Sequence, residues 1–395
     1  MLNKNNEREL AYIVKIGWVK PIEGADNIEL VGINGWTCIA KKGEFQAGDL
    51  AVYFEIDSKL PETDWSEFLA AKHYKVKTMK LSKFKVISQG LALPFSAFGW
   101  ESNKYQEGDF LTKELGVTYS VEEDNARKAS VNPDAKINAA LQRHPKIAKK
   151  YGKLIKKNKV LRALFVFFFG KKKDVKGWPA WVKKTDEERV QNMTWILENK
   201  DEWFATEKVD GTSSTYTMKG FGRKREFYIC SRNVCFDTPE KMEKGGYYDT
   251  NVYQEMAIKY DIENVLATIL DNYKSLEFVT LQGETYGDGI QKRNYNLKDH
   301  DFAAFNLIFG YKDGTQKRFN PREMTDMLAG FGVPCVPIVD EHFVLPDTVE
   351  ELLNIATDKS KIDGGMREGL VFRSKDGVQS FKAVSNEFLI KYHQG

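Results

Sequence analysis

The sequence lacks most features of exported or membrane-embedded proteins. It has only four cysteines in 395 residues, and their spacing matches neither a set of disulfide bridges nor a zinc site. Residues 1–10 contain no apolar signal core. The most apolar run, residues 161–170, is far shorter than the roughly 20 residues of a membrane-spanning helix. We therefore expect a soluble, cytoplasmic protein with reduced thiols.

The sequence also has little net charge, only +3, but its charge is unevenly placed. Residues 136–184 hold sixteen Lys or Arg and a single acidic residue, Asp174. Apolar residues recur between these lysines at helical intervals, which predicts a basic amphipathic connector. The connector could be a solvated helix packed on a neighbouring domain, a polyanion contact or a membrane-surface helix. The apolar positions are Ile147, Tyr151, Leu154, Leu161 and Phe165.

The length and an apolar content of 42% predict two or three packed domains. Residues 9–115 consist of short β segments separated by Gly and Asp turns, which favours a small closed barrel. The OB-fold is a common nucleic-acid-binding barrel of this size. The strand pattern alone fits a generic barrel without a ligand equally well.

From about residue 200, the pattern changes to mixed strands and helices. We predict helices near 252–272, 320–330 and 347–357 among several strands. This mixture indicates one α+β domain. The predicted strands are WFATEKV, STYTMKG, EFYICSR, EFVTLQGETY, DFAAFNLIFG and EGLVFRS.

The stretch TEKVDGTS, residues 206–213, places Lys208 between two acids. A lysine is a nucleophile only when neutral, and its ordinary pKa near 10.4 keeps it charged at pH 7. Adjacent carboxylates raise that pKa further. The arrangement makes chemical sense if Asp210 holds a hydrated metal whose charge outweighs the carboxylates. Gly211 would allow close approach of a ligand to the backbone.

Other segments follow in a fixed order, and together with TEKVDGTS they resemble motifs I, Ia, III, IIIa, IV and V of the covalent nucleotidyltransferases. That superfamily contains lysine-adenylylating ligases and RNA capping enzymes. The segments are CSRN (230–233), LQGETYGDGIQ (281–291), FAAFNLIFG (302–310), REGLVFRS (367–374) and SFKAVSNEFLIK (380–391).

Two further segments resemble one group within that superfamily, the nick-sealing RNA ligases that carry an N-terminal OB domain. Residues 21–61 resemble that OB domain, and residues 184–192, KTDEERVQN, resemble the start of its catalytic domain. Only thirteen residues follow Lys382, so we expect no C-terminal OB domain of the kind that DNA ligases and capping enzymes carry.

The resemblance implies a multidomain fold. We expect an all-β OB-type barrel over residues 1–118, a basic helical linker over 119–183, and an α+β nucleotidyltransferase (ATP-grasp-like ligase) domain over 184–395.

For catalysis, the resemblance implies that Lys208 attacks the α-phosphate of ATP and carries AMP as a phosphoramidate. Asp210 and Glu368 would hold a hydrated Mg²⁺ or Mn²⁺ beside it, through water. A purely structural role for Glu368 stays an alternative.

For the phosphates, the resemblance implies contacts from Lys382 to the α-phosphate and from Arg189 to a phosphate of ATP or of the nick. Arg189 could instead be an ion-pair partner of Asp186. Related RNA ligases often have a second lysine two places after the first, where this chain has Val384. Either Lys391 or another lysine would then take the place of that second lysine, or fewer side chains would contact the α-phosphate.

For the nucleoside, the resemblance implies that Glu284 binds the ribose, and that Arg232 contacts the ribose or the acceptor strand. Phe305 would stack on adenine, while Thr206 or Glu207 would read the adenine edge. A structural role for Glu284, or a plain core position for Phe305, stays an alternative.

These roles predict an ATP-dependent RNA ligase, acting as a monomer on nicked double-stranded RNA or RNA/DNA hybrid, with no membrane partner. The barrel would bind the strand with the 3′-OH, so removing residues 1–115 should reduce sealing and spare lysine adenylylation. Two alternatives stay open: a capping-type guanylyltransferase that uses GTP, and a non-catalytic RNA-binding protein with a decayed ligase domain.

Overall fold

The protein is described by a computed structural model that covers residue 1, residues 7–119, 177–236 and 251–392, and the single residues 151, 155, 161 and 242. Residues 1–118 and 177–395 form one unit, and residues 119–176 form another. Most of the predicted basic connector lies outside the described residues.

The N-terminal region is built from short antiparallel strands. The order in its larger sheets is β1-β5-β9 and β2-β3-β4. Ile16 and Gly17 separate β1 from β2. Residues 64–72 and 95–98 are 3₁₀ helices. The strands are β1 (Ala11–Lys15), β2 (Trp18–Pro21), β3 (Ile28–Ile33), β4 (Trp36–Lys41), β5 (Leu50–Phe54), β6 (Ser58–Lys59), β7 (Met79–Leu81), β8 (Val86–Ser88), β9 (Leu91–Pro94) and β10 (Thr118–Tyr119).

The alternation of buried and exposed side chains along the strands explains how they form a core. In β4, Trp36, Cys38 and Ala40 point inward and are buried, while the residues between them are partly exposed. They pack with apolar residues of β1, β3 and β5, including Tyr12 and Val31.

The C-terminal region contains a four-stranded sheet, ordered β17-β11-β18-β19, and a five-stranded sheet, ordered β13-β12-β14-β15-β16. The strands are β11 (Glu202–Lys208), β12 (Thr212–Lys219), β13 (Glu226–Ser231), β14 (Leu276–Gly287), β15 (His300–Tyr311), β16 (Gln316–Arg318), β17 (Ile338–Val344), β18 (Gly369–Ser374) and β19 (Ser380–Val384).

The helices pack on these sheets. Asp261, with φ of 48°, breaks the helix predicted over 252–272 into two. Capping boxes at Asn320 and Thr348 start the two helices that were predicted near 320 and 347. The final helix was not predicted. The helices of the described ranges are α1 (Val252–Lys259), α2 (Ile262–Asn272), α3 (Pro321–Ala329), α4 (Val349–Ala356) and α5 (Asn386–Tyr392).

Two connections between the sheets position the functional site. Residues 209–211 join the end of β11, in the four-stranded sheet, to the start of β12, in the five-stranded sheet. Between β14 and β15, Gln282 pairs with Asn306 and Gly283 with Ala304, which leaves Phe305 as an extra residue. Such a bulge redirects side chains. Accordingly, Ala304 and Leu307 both face the helix-covered core, although they are three residues apart.

Candidate active site

A cavity of about 340 Å³ lies where the two sheets meet. Seven of the residues predicted to act line it, while Arg189, Asp210 and Glu368 do not. The predicted residues in its wall are Thr206, Glu207, Lys208, Arg232, Glu284, Phe305 and Lys382.

Lys208 is the last residue of β11 and lies opposite Gly369 of β18. Its Nζ is 2.7 Å from Oε2 of Glu368, the residue just before that glycine. Gly211 packs so closely on β14 that an added Cβ would lie 2.3 Å from the carbonyl oxygen of Thr285. This close approach brings the turn after Lys208 against the strand that carries Glu284.

The charges around Lys208 keep it protonated. Desolvation lowers the pKa of Lys208, but the nearby carboxylates of Glu368 and Glu284 more than offset it, and the net pKa is raised. Burial raises the pKa of Glu284 to about 8. At neutral pH the amine is therefore a cation and a poor nucleophile. The acids that raise its pKa most are Glu368, just before β18, and Glu284 of β14, not its sequence neighbours.

Asp210 is 5% exposed, and its backbone amide donates to the hydroxyl oxygen of Tyr295 at 2.6 Å. Within the described ranges, no three His, Cys, Asp or Glu converge closely enough to hold a metal ion. Mg²⁺ commonly keeps several waters and binds through one or two carboxylates and substrate phosphates. The acidic surroundings of Lys208, which include Asp210 and Glu368, fit such a hydrated cation.

Cations also line the cavity. Arg232 Nη2 is 2.8 Å and Lys382 Nζ 3.5 Å from carboxylate oxygens of Asp186. Burial, and then the charge of Lys208, lower the pKa of Lys382. Val384 packs with apolar residues and Lys391 lies on α5, so neither adds a charge to this wall.

The bulge at Phe305 forms an apolar wall with Val336 and Val371. Arg373 of β18 holds the bulge: its Nη1 donates to the carbonyl oxygen of Phe305 at 3.0 Å, and its Nη2 to Oδ1 of Asn306 at 2.7 Å. The sequence reasoning missed Val336, Val371 and Arg373. Nothing marked Val336, before β17, or Val371, in β18, as cavity wall rather than core, whereas the charge of Arg373 inside an apolar strand was a usable signal.

The two residues proposed to read adenine are held differently. Glu207 is 1% exposed, and its carboxylate accepts hydrogen bonds from the Ser360 hydroxyl at 2.5 Å and the Lys361 amide at 2.7 Å. Thr206 donates its hydroxyl to the carbonyl oxygen of Val371. The carboxylate of Glu207 is therefore already hydrogen-bonded to residues 360–361.

Arg189 does not pair with Asp186. Its guanidinium carbon lies 5.6 Å from the ring centre of Trp36, in the N-terminal region. Burial lowers the pKa of Arg189, while Glu368 is its strongest acidic neighbour.

Comparisons with known proteins agree with this geometry. A model of an OB-fold domain matches residues 10–95, and a model of the RNA ligase family matches residues 201–393. The structure of Naegleria gruberi RNA ligase with PPi is 30% identical, covers 98% of this chain and 99% of its own, and has a TM-score of 0.59. This chain belongs to the RNA ligase family.

Two mutants of the Naegleria gruberi enzyme give similar matches to this RNA ligase. One, with ATP and Mn, is 28% identical, covers 98% of this chain and 100% of its own, and has a TM-score of 0.61. The other, with AMP and Mn, is 30% identical, covers 97% and 99%, and has a TM-score of 0.60. No curated protein matches the sequence.

The matches confirm the predicted fold class, an OB-type barrel followed by an α+β ligase region, and the prediction of an RNA ligase. The domain boundaries at 118 and 183 stay predictions. Each helix in the described ranges is too short or too polar to span a bilayer.

Proposed function

We propose that this RNA ligase uses ATP and a divalent cation to seal 3′-OH/5′-phosphate nicks in double-stranded RNA or RNA/DNA hybrid, with AMP carried on Lys208. The observation that carries the proposal is that one cavity is lined by Lys208, Glu284 and the cations Arg232 and Lys382, with Glu368 2.7 Å from the Lys208 amine. An adenylate can be bound there with its phosphate beside the amine.

In the first step, the neutral amine of Lys208 attacks the α-phosphorus of ATP. An N–P bond forms, the bond between the α-phosphorus and the oxygen bridging to the β-phosphate breaks, and pyrophosphate leaves. The attacking nitrogen loses one proton to solvent and becomes the phosphoramidate N–H. Lys382 supports this step, because a positive charge beside the α-phosphate stabilises the developing negative charge. Arg189 is proposed to act on the phosphates in the same way.

A bound divalent cation would supply positive charge near Lys208 and the α-phosphate, which favours the neutral amine and stabilises the transition state. Asp210 and Glu368 are the residues proposed to hold it through water.

The nucleoside would lie against the bulge. Phe305 offers a ring face for adenine, with Val336 and Val371 completing the apolar wall. Glu284 would accept from a ribose hydroxyl, and Arg232 would contact the ribose or the acceptor strand. Because the Glu207 side chain is occupied, Thr206 is the better candidate of the two for the adenine edge.

In the later steps, AMP moves from Lys208 to the 5′-phosphate of the nick, which forms a phosphoanhydride and releases the amine. The 3′-OH then attacks that phosphate, a phosphodiester forms, and AMP leaves. The barrel would bind the 3′-OH strand and could sense 2′-hydroxyls.

The test is covalent labelling with α-labelled ATP or GTP, in Mg²⁺ or Mn²⁺, of wild-type protein and Lys208→Ala, followed by sealing of a nicked RNA duplex. Label from ATP on the wild type alone, followed by sealing, supports the proposal. Label from GTP would indicate a capping enzyme instead. No label on protein freed of AMP would indicate an RNA-binding relic.

A further inference from the structure

The seam between the N-terminal barrel and the ligase region ends beside the cavity. Gly35 lies in the β3–β4 turn, which packs on α4, and Trp36 is the first residue of β4. The Gly35 amide donates to Oε1 of Glu350 at 2.8 Å. With φ of 79°, and with an added Cβ only 2.4 Å from Val349 Cγ1, Gly35 cannot be replaced without strain. The turn is therefore held firmly against the ligase region.

Further contacts fix the same seam. Ile87 of β8 packs with Val384 and Leu389 of the ligase region in one buried cluster. Arg8 Nη1 lies 3.6 Å from Oε2 of Glu188. The place where related ligases have a second lysine is thus used here for packing on the barrel.

Trp36 is 3% exposed, and its ring faces the guanidinium of Arg189 at 5.6 Å. An aromatic face within about 6 Å attracts a cation and restricts its orientation. Nη1 of Arg189 is buried and has no hydrogen-bond acceptor among the described residues. Leaving a buried donor without an acceptor costs free energy, and an oxygen of a bound phosphate would satisfy it.

The backbone relates Arg189 to the cavity. Arg189 forms a parallel bridge with Lys382, and the Lys382 amide donates to the Glu188 carbonyl at 2.8 Å. Residues paired in this way project to the same side of a sheet, about 5 Å apart. Because Lys382 lines the cavity, the backbone of Arg189 lies one strand spacing from a residue of the proposed phosphate site.

We infer that Trp36 of the barrel is a positioning residue for lysine adenylylation: its ring holds Arg189 toward the phosphates of ATP. The inference rests on the proposed function and deepens it. It changes the expected division of labour, because the barrel then contributes to the first step as well as to RNA binding.

The experiment measures the single-turnover rate of lysine adenylylation over a range of ATP concentrations, and separately the sealing of a nick that already carries AMP. The variants are Trp36→Ala, Trp36→Phe, Arg189→Ala and the double variant of Trp36→Ala with Arg189→Ala. Trp100→Ala, in an aromatic cluster elsewhere in the barrel, is the matched control.

We expect Trp36→Ala to slow adenylylation about tenfold, which lies within the range for one cation–aromatic contact, while Trp36→Phe retains most of the rate. The double variant should be no slower than Arg189→Ala, since Trp36 acts through Arg189. Sealing of the adenylylated nick, and adenylylation by Trp100→Ala, should stay near wild type.

Wild-type rates for Trp36→Ala, additive losses in the double variant, or equal losses in both steps with a parallel fall in Tm would each overturn the inference. The proposed function fails separately, if the wild type itself takes no label from ATP.

Discussion

Lys208 Nζ lies 2.7 Å from Oε2 of Glu368, so the proposed nucleophile is held as a cation by a carboxylate. The same carboxylate is proposed to hold a hydrated metal. Binding of the metal would compete for the charge of Glu368 and release the amine. The ion pair therefore describes a resting state that nucleotide and metal have to convert.

The first prediction concerns the pH dependence of adenylylation. Because the pKa of Lys208 is raised in the protein alone, the neutral amine forms only as pH increases. We expect the single-turnover rate to rise with pH, and its midpoint to move to lower pH as divalent metal is added. Glu368→Gln removes a carboxylate that raises the pKa, yet it should lose activity. A faster Glu368→Gln enzyme would show that Glu368 only suppresses the amine.

The second prediction concerns stability. An unfolded glutamate titrates near about pH 4.3, whereas Glu284 in the folded protein titrates at about 8. Between these values the folded protein binds more protons than the unfolded chain, so stability falls as pH rises through this window. Glu284→Gln stays neutral, and its Tm without nucleotide should gain on wild type toward pH 8. Parallel Tm curves for the two proteins would contradict this.

The third prediction concerns Phe305. Stacking of a base on an aromatic ring is worth about 1–3 kcal/mol, so Phe305→Ala should weaken ATP binding by roughly ten- to a hundredfold. Equilibrium binding of ATP measures this. Phe68→Ala, which removes a phenylalanine that is 59% exposed in the barrel, is the control and should bind as wild type. Unchanged affinity in Phe305→Ala would assign Phe305 to packing.

The fourth prediction concerns Arg373. Lysine lacks the rigid, forked guanidinium and so cannot reproduce the geometry of the two hydrogen bonds from Arg373 to the Phe305 carbonyl and the Asn306 amide oxygen. Arg373→Lys should therefore raise KM for ATP several-fold and change kcat little, since the bulge loses its support. Arg322→Lys, at an exposed ion pair with Glu341, should change neither. A drop in kcat alone would place Arg373 in the chemical step.

The fifth prediction concerns Glu207. Its carboxylate accepts two hydrogen bonds from residues 360–361, and losing them costs about 1–3 kcal/mol. Glu207→Ala should lower Tm while the preference for ATP over GTP in labelling stays unchanged. If that preference collapses at an unchanged Tm, Glu207 reads the base after all.

The sequence predicted those parts of the site for which chemistry demands a residue type. The resemblance implied roles for Lys208, Glu284 and Lys382, and a carboxylate such as Glu284, which borders glycine at the edge of an apolar strand, needs a reason. All three line one cavity: Lys208 lies on β11 and Glu284 on β14, which were predicted strands, while Lys382 lies on β19, which was not predicted. Helix positions near 320 and 347 followed from periodicity and are confirmed.

Other parts could not be read from a linear pattern. Asp261 breaks a helix through a left-handed backbone angle that local propensity does not demand. The approach of Trp36 to Arg189 joins residues far apart in sequence, and no spacing rule encodes it. Val371 looks like any buried strand residue until the cavity beside it is known.

In β15, the single extra residue of the bulge contributes to the site but is not needed for the strand pairing. Ala304 and Asn306 are already opposite consecutive residues of β14, so a chain without Phe305 could pair along an unbroken ladder. After such a deletion, the same residues on each side of the bulge would still face the core, but the ring beside the cavity would be gone. In β15, losing this one residue would make the strand pairing more regular, but it would remove the ring on which the nucleotide is proposed to stack.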